Sequence, residues 1–117
     1  MPGTVLIVDD HAGFRASARR LLEAEGYEVI GEAVDGAGAV DAASLLSPDL
    51  VLLDVALPDF DGFEVARRLT ATPGGPQIVL TSSRDWSALP DLVVSCGARG
   101  FVSKADLSGA ALMALTA

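Results

Sequence analysis

The chain predicts an α/β fold, a doubly wound sheet of five parallel strands with helices on both faces. Three observations carry that expectation. Short apolar runs rich in β-branched residues recur along the chain, clearest at Val5-Leu6-Ile7-Val8 and Leu50-Val51-Leu52-Leu53. Runs that are apolar at every position, not every second one, suit strands covered on both faces. Five strand signals alternate strictly with five helix signals, joined by connections of a few residues. With 117 residues, half of them apolar, there is material for one domain with a proper core, residues 1–117, and not for two.

The elements follow in order. Thr4 to Val8 is the first strand. Gly13 to Ala24 reads as a helix with Phe14, Ala18, Leu21 and Leu22 on one face and Arg15, Arg19, Arg20 and Glu23 on the other, stopped by Gly26. Tyr27 to Ala33 is a second strand, less apolar and so nearer an edge. Asp35 to Ser47 is a second helix, weakened by Gly36 and Gly38 and closed by Pro48. Leu50 to Asp54 is the central strand. Phe60 to Thr70 makes a third helix with Phe63, Ala66 and Leu69 inward. Thr72-Pro73-Gly74-Gly75-Pro76 is a turn and the best candidate for a mobile loop. Gln77 to Thr81 is the fourth strand. Pro90 disfavours helical geometry in the residue before it. The fourth helix should therefore begin near Pro90 and run through Leu92 to Cys96 as far as Gly97, leaving Ser83 to Leu89 irregular. Gly100 to Ser103 is a short fifth strand, and Ala105 to Thr116 an alanine- and leucine-rich last helix.

Charge and cysteine usage narrow the function classes. A formal net charge of -8 argues against a nucleic-acid surface, which needs a basic patch. The single cysteine, Cys96, rules out an internal disulfide and fits a reducing compartment; its apolar neighbours suggest a small buried hydrophobe. No basic-then-apolar leader opens the chain, and no apolar stretch approaches the roughly 20 residues of a membrane span. A cytoplasmic protein with no membrane partner is expected.

The chemistry concentrates at the strand ends. Asp9 and Asp10 follow the first strand, Asp54 closes the third, Thr81 the fourth, and Lys104 follows the fifth. In doubly wound sheets ligands bind outside the carboxyl ends of the strands. Three acids gathered there repel one another by about 4 kcal/mol per close pair at an effective dielectric of about 20. A divalent cation relieves that, and carboxylate oxygens suit Mg²⁺. Singly, each residue has a plainer reading: the Asp pair as a helix cap, Thr81 as turn chemistry, Lys104 as a solvated cation. Jointly they describe acids for a metal, an acid to react, and a hydroxyl and an ammonium for an anion.

At these residues the chain resembles the receiver domains of two-component response regulators, over its whole length. The matching pieces are Val5-Leu6-Ile7-Val8-Asp9-Asp10-His11, Pro48-Asp49-Leu50-Val51-Leu52-Leu53-Asp54-Val55-Ala56-Leu57-Pro58 with Asp61-Gly62, Pro76-Gln77-Ile78-Val79-Leu80-Thr81-Ser82, and Gly97-Ala98-Arg99-Gly100-Phe101-Val102-Ser103-Lys104. Asp9-Asp10-His11 followed by Arg15 looks most like the NarL/LuxR-type subfamily, whose receivers are commonly fused to a DNA-binding domain. The resemblance implies a flavodoxin-like, CheY-like (βα)5 fold with strand order 2-1-3-4-5. It implies that Asp54 takes a phosphoryl group from a sensor histidine kinase. Asp10 and Asp54 would ligate Mg²⁺ with the backbone carbonyl of Ala56, and Asp9 would act mostly through a metal-bound water. Lys104, Thr81 and the backbone N–H groups of Ala56 and Ser82 would contact the phosphoryl oxygens. Phe101 matches the family's aromatic switch position, beside its plain reading as a core Phe. Lacking a hydroxyl, its ring is expected to be biased inward. Small residues at Ala56 and Ser83 imply unhindered hydrolysis of the phosphoryl group. His11 is expected to position its neighbours, Pro58 and Gly62 to shape the loop after Asp54, and Trp86 to be a partly exposed packing residue.

A homodimer is compatible with the resemblance, and DNA would be reached only through a C-terminal domain absent from this chain. The chain is expected to be either a stand-alone receiver or the N-terminal piece of a longer regulator, and not a turnover enzyme. Two rivals remain: a phosphorylation-independent interaction module, and a haloacid-dehalogenase-like phosphohydrolase. The second wants Asp-x-Asp at its nucleophile, where this chain has Asp54-Val55-Ala56.

Overall fold

The computed structural model describes residues 3–83 and 90–116, apart from the side chains of Pro90 and Leu92. Strands β1 (Thr4–Val8), β2 (Glu28–Ala33), β3 (Leu50–Asp54), β4 (Gln77–Ser82) and β5 (Gly100–Ser103) form one parallel sheet in the order β2-β1-β3-β4-β5. Between them run α1 (Ala12–Ala24), α2 (Gly36–Leu46), α3 (Gly62–Thr70) and α4 (Pro90–Ser95), and α5 (Gly109–Thr116) closes the chain. The order reverses between β1 and β3. Right-handed crossovers on the two sides of that point put their helices on opposite faces.

Side-chain alternation along the strands builds two cores from one set of apolar runs. Leu6, Val8, Val51, Leu53, Ile78 and Leu80 pack with Ala39, Ala43, Phe63, Ala66, Leu69 and Val93 of α2, α3 and α4. The intervening Val5, Ile7, Leu50, Leu52 and Val79 pack with Ala18 and Leu22 of α1 and Leu112 of α5. Both faces are covered by helices, hence the continuous apolar runs Val5 to Val8 and Leu50 to Leu53. The less apolar β2 lies at the edge, as its composition suggested.

Helix ends obey local chemistry. At Gly26 (φ 96°) the N–H groups of Gly26 and Tyr27 donate to the carbonyls of Glu23 and Leu22. This pattern satisfies the last carbonyls of α1 and needs a left-handed residue there. The third helix starts at Gly62, two residues later than Phe60. The Asp61 carboxylate accepts from the Glu64 N–H at 2.8 Å and caps the helix there. The last helix starts later than Ala105. A 3₁₀ turn spans Lys104–Asp106, Leu107 is extended, and the Ser108 hydroxyl accepts from the Ala111 N–H at 3.0 Å to cap α5. Leu107, apolar enough to pass for helix, packs on the α1/α5 core instead. The fourth helix is described over Pro90–Ser95; Ser83 is an exposed bend, and the stretch between them, with Trp86 and Leu89, lies outside the described residues, so the expected irregular segment falls there. Thr72 to Pro76 is a turn, closed by the Gly75 N–H on the Thr72 carbonyl. Cys96 is a free, buried thiol. Among the described residues no helix is long and apolar enough to cross a membrane.

Candidate functional site

Strand register alone brings the candidate residues into a row. Val8 pairs with Leu53, so Asp9 emerges beside Asp54; Asp54 pairs with Thr81, and Ser82 with Ser103, one residue before Lys104. Neighbouring parallel strands lie about 4.8 Å apart, so residues in register are neighbours in space. Parity then chooses the face. Asp9 continues the alternation of Val5 and Ile7, Asp54 that of Leu50 and Leu52, and Thr81 that of Val79, all on the α1/α5 side.

There the charges meet. Asp9 is fully buried and Asp54 is 3% exposed. Lys104 reaches between them, its Nζ 2.7 Å from Asp9 Oδ2 and 3.3 Å from Asp54 Oδ2. It donates a hydrogen bond to Asp54, while the shorter approach to Asp9 is an ion pair off the line of a hydrogen bond. The Ala56 N–H donates to Asp54 Oδ1 at 3.1 Å and the His11 N–H to Asp9 Oδ1 at 2.8 Å. Asp10 is exposed, with the exposed His11 ring beside it, Nδ1 3.2 Å from Asp10 Oδ1. His11 thus holds Asp9 through its backbone, and its ring lies against Asp10.

Burial pushes the Asp54 carboxyl above its ordinary pKa; the Ala56 N–H and Lys104 pull it back, and the Asp9 charge adds to the rise. For Lys104, burial pushes downward, but contact with Asp9 and the charge of Asp54 outweigh it and raise its pKa. The ammonium therefore stays charged across the neutral range.

Thr81 is wholly buried, and its Oγ1 finds no hydrogen-bond partner among the described residues. An unpaired buried hydroxyl costs about 1–3 kcal/mol, so its position beside Asp54 suits an acceptor that arrives there. Ser82 is buried and Ala56 exposed. Phe101, paired with Leu80, is half-buried and packs on the α2–α4 core, on the sheet face away from the parity of Thr81.

The loop after Asp54 is tightly tied. Ala56 and Asp61 form an isolated antiparallel bridge, and the Gly62 N–H donates to the Val55 carbonyl at 2.7 Å. A Cβ on Gly62 would lie 2.5 Å from the Asp54 carbonyl oxygen and 2.8 Å from Val55 Cα, which only glycine avoids. The Asp59 carboxylate accepts from the N–H groups of Gly36, Ala37 and Phe60, anchoring this loop to the start of α2.

Sequence reading missed several supporting residues. Arg15, placed on the polar face of its helix, donates through Nη1 to the Asp9 carbonyl at 2.7 Å and through Nε to Glu32 at 2.9 Å. Arg19 holds the other oxygen of Glu32 at 2.9 Å. The Phe14 ring lies under the Lys104 ammonium, 4.5 Å from centroid to Nζ. Only the capping residues Asp61 and Ser108 carried a readable signal, being N-cap types just before helical segments.

The donor set fits a hard divalent cation. Asp9, Asp10 and His11 each offer a ligand atom within 4.8 Å of the others, and the two carboxylates supply the oxygens such an ion prefers. Asp54 adds a third carboxylate, joined to Asp9 in this structure by a cation already, the Lys104 ammonium.

A buried acid–ammonium cluster thus sits at the switch point of a five-stranded doubly wound sheet with the CheY-like, flavodoxin-like strand order. Residues 5–115 match the response regulator receiver domain family, and the chain belongs to it. It is similar to the transcriptional regulatory protein PdtaR of Mycobacterium tuberculosis, 44% identical over 87 residues, covering 73% of this chain and 42% of that protein. It is 37% identical over 101 residues to the response regulator UvrY of Escherichia coli, covering 86% of this chain and 46% of that one. Among solved structures, a LuxR-family two-component response regulator from Aurantimonas sp. SI85-9A1 superposes with a TM-score of 0.87 at 30% identity, covering 99% of this chain and 86% of that one. The chain spans about half the length of the curated relatives it matches. Similar receivers also occur in a Myxococcus xanthus protein-glutamate methylesterase and a Desulfovibrio desulfuricans diguanylate cyclase, so the match defines the receiver and not one output class.

Proposed function

We propose that Asp54 accepts a phosphoryl group from a phosphohistidine on a sensor histidine kinase, and that the change it causes at the sheet edge switches an output surface. An Asp54 carboxylate oxygen attacks phosphorus; the P–N bond to the imidazole breaks, and its electron pair leaves with the ring nitrogen. Such transfers need alignment and charge neutralisation more than covalent help. The single observation that carries the reading is the surround of Asp54: a lysine ammonium at 3.3 Å, a backbone N–H at 3.1 Å, and the unpartnered hydroxyl of Thr81 on the paired strand position.

Lys104 and Thr81 bind the phosphoryl oxygens, aided by the backbone N–H groups of Ala56 and Ser82. Asp9, Asp10 and Asp54, with the Ala56 carbonyl, would hold Mg²⁺, which would supply positive charge against the anionic donor. As Thr81 turns to its new acceptor, Phe101 follows on the neighbouring strand and passes the change to the α4 side. The protein then acts as a cytoplasmic switch and not as a turnover enzyme. The transcription regulators among its relatives support an output through DNA in a domain beyond this chain, of the NarL/LuxR type.

The test is incubation with Mg²⁺ and acetyl phosphate, read by intact mass. Wild type gains one phosphoryl group per chain and Asp54→Ala gains none. An unlabelled wild type, or a labelled Asp54→Ala, removes the reading.

A further inference from the structure

We infer that Phe14 is a positioning residue for Lys104: its ring face holds the ammonium over the acidic cluster, so that Lys104 can move from carboxylate to phosphoryl oxygen without swinging into solvent. The inference rests on the phosphoryl-transfer reading and deepens it. Lys104 stands on a four-carbon stem just beyond β5, with a large choice of rotamers. Among the described residues its head nevertheless meets two carboxylates and a ring: Asp9 at 2.7 Å, Asp54 at 3.3 Å and the Phe14 ring centroid at 4.5 Å.

The three differ in what becomes of them. Phosphorylation consumes the Asp54 carboxylate, and a bound cation competes for Asp9. Only the ring is untouched by either event. An ammonium over an aromatic face is attracted by the ring quadrupole, and the attraction grows when both groups are shielded from water. Lys104 is 17% exposed and Phe14 half-buried, so shielding is substantial. A third carboxylate there would hold the lysine more tightly, but it would compete with the incoming anion. A ring does not. Phe14 is well placed for this because it lies in the first turn of α1, on the face packed against the strands' α1/α5 side, where Asp9, Asp54 and Thr81 gather.

The variants are Phe14→Leu, which keeps apolar packing without a π face, and Phe14→Tyr, which keeps the face. Two readouts separate the inference from the reading beneath it. NMR of the unphosphorylated protein reports the contact: the Lys104 ε-methylene protons are shifted upfield by the ring in wild type and Phe14→Tyr and return to ordinary values in Phe14→Leu. The rate of labelling by acetyl phosphate at saturating Mg²⁺ reports the role. It falls roughly three- to tenfold in Phe14→Leu, the range expected of a partly shielded cation–π contact, and recovers in Phe14→Tyr. A structural role alone would lower the urea midpoint in step with the rate, whereas the inference expects the rate to fall in Phe14→Leu well beyond any change in that midpoint. A wild type that labels normally, with Phe14→Leu equally fast or the ε-methylene shift unmoved, overturns the inference alone. A wild type that takes no label overturns the phosphoryl-transfer reading and the inference with it.

Discussion

Replacing Lys104 with Met probes the electrostatic centre of the protein without touching the nucleophile. The ammonium stands 2.7 Å from Asp9 and 3.3 Å from Asp54. At an effective dielectric of about 20, those distances correspond to gross attractions of about 6 and about 5 kcal/mol. Much of that is offset by the desolvation of the ammonium, which the substitution also removes. What survives is the cost of leaving two buried carboxylates without their counter-ion, typically about 3–5 kcal/mol. Proton uptake by one carboxyl caps the loss, so we expect about 3 kcal/mol in EDTA at pH 7.5. With a urea slope of about 1.5–2 kcal/mol/M, the midpoint falls by about 1.5–2 M. The sign with pH is fixed. The Asp54 pKa is already raised by burial, and losing Lys104 raises it further. A carboxyl raised on folding costs stability when ionised, so the deficit grows as pH rises through its folded pKa and shrinks in acid. Mg²⁺ should stabilise Lys104→Met more than wild type, because no ammonium has to be displaced from Asp9 and Asp54. Urea titrations followed by circular dichroism, with and without Mg²⁺, check both points. Equal midpoints in EDTA would show that the ammonium does not hold the two carboxylates.

Three further variants test local geometry, two by urea titration and one by melting curves. Gly62→Ala drives a Cβ into the Asp54 carbonyl and should cost about 3 kcal/mol, whereas Gly13→Ala, in α1 with open space around it, should gain about 0.5–1 kcal/mol. A Gly62→Ala protein of wild-type stability would show that the β3–α3 junction has more room than this packing allows. For Asp59, desolvation pushes upward but the N–H groups of Ala37, Gly36 and Phe60 outweigh it and hold its carboxyl below the ordinary value of 3.8. A carboxyl lowered on folding contributes stability that is present above its unfolded pKa and fades as pH falls through the folded one. Asp59→Asn should therefore lower stability at neutral pH and flatten the loss of melting temperature below about pH 4, close to the reference carboxylate pKa. A melting curve series from pH 6 to pH 2 with the wild-type slope would remove Asp59 as an anchor of α2.

Much of the fold could be read from residues alone, and the exceptions are informative. The strands were legible because β1 and β3 each carry four consecutive apolar residues, Val5 to Val8 and Leu50 to Leu53, a pattern that suits a sheet covered on both sides. The early edge of α3 was misjudged because Phe60 is apolar and follows the helical period, while the Asp61 carboxylate accepts from the Glu64 N–H and caps the helix after it. The last helix was drawn too long for a similar reason: Leu107 satisfies a hydrophobic pattern from an extended conformation, and Ser108 supplies the cap. Local hydrogen bonding at a helix end overrides periodicity by a margin too small for a pattern to reveal. The candidate site was legible as a set, since each acid, hydroxyl and ammonium sits at a strand terminus and termini of parallel strands share one edge.

Partnership was a different matter. Local sequence is enough to say that Asp9, Asp54, Thr81 and Lys104 reach the same edge, because strand direction and period two follow from backbone sterics. That Lys104 bridges the two buried carboxylates, that Phe14 lies beneath it, that Arg15 grips the Asp9 carbonyl and that Asp59 ties its loop to α2 were decided by tertiary packing. All but the Arg15 contact join segments separated by tens of residues, and their strength comes from burial, which the folded molecule creates and no short stretch of chain contains.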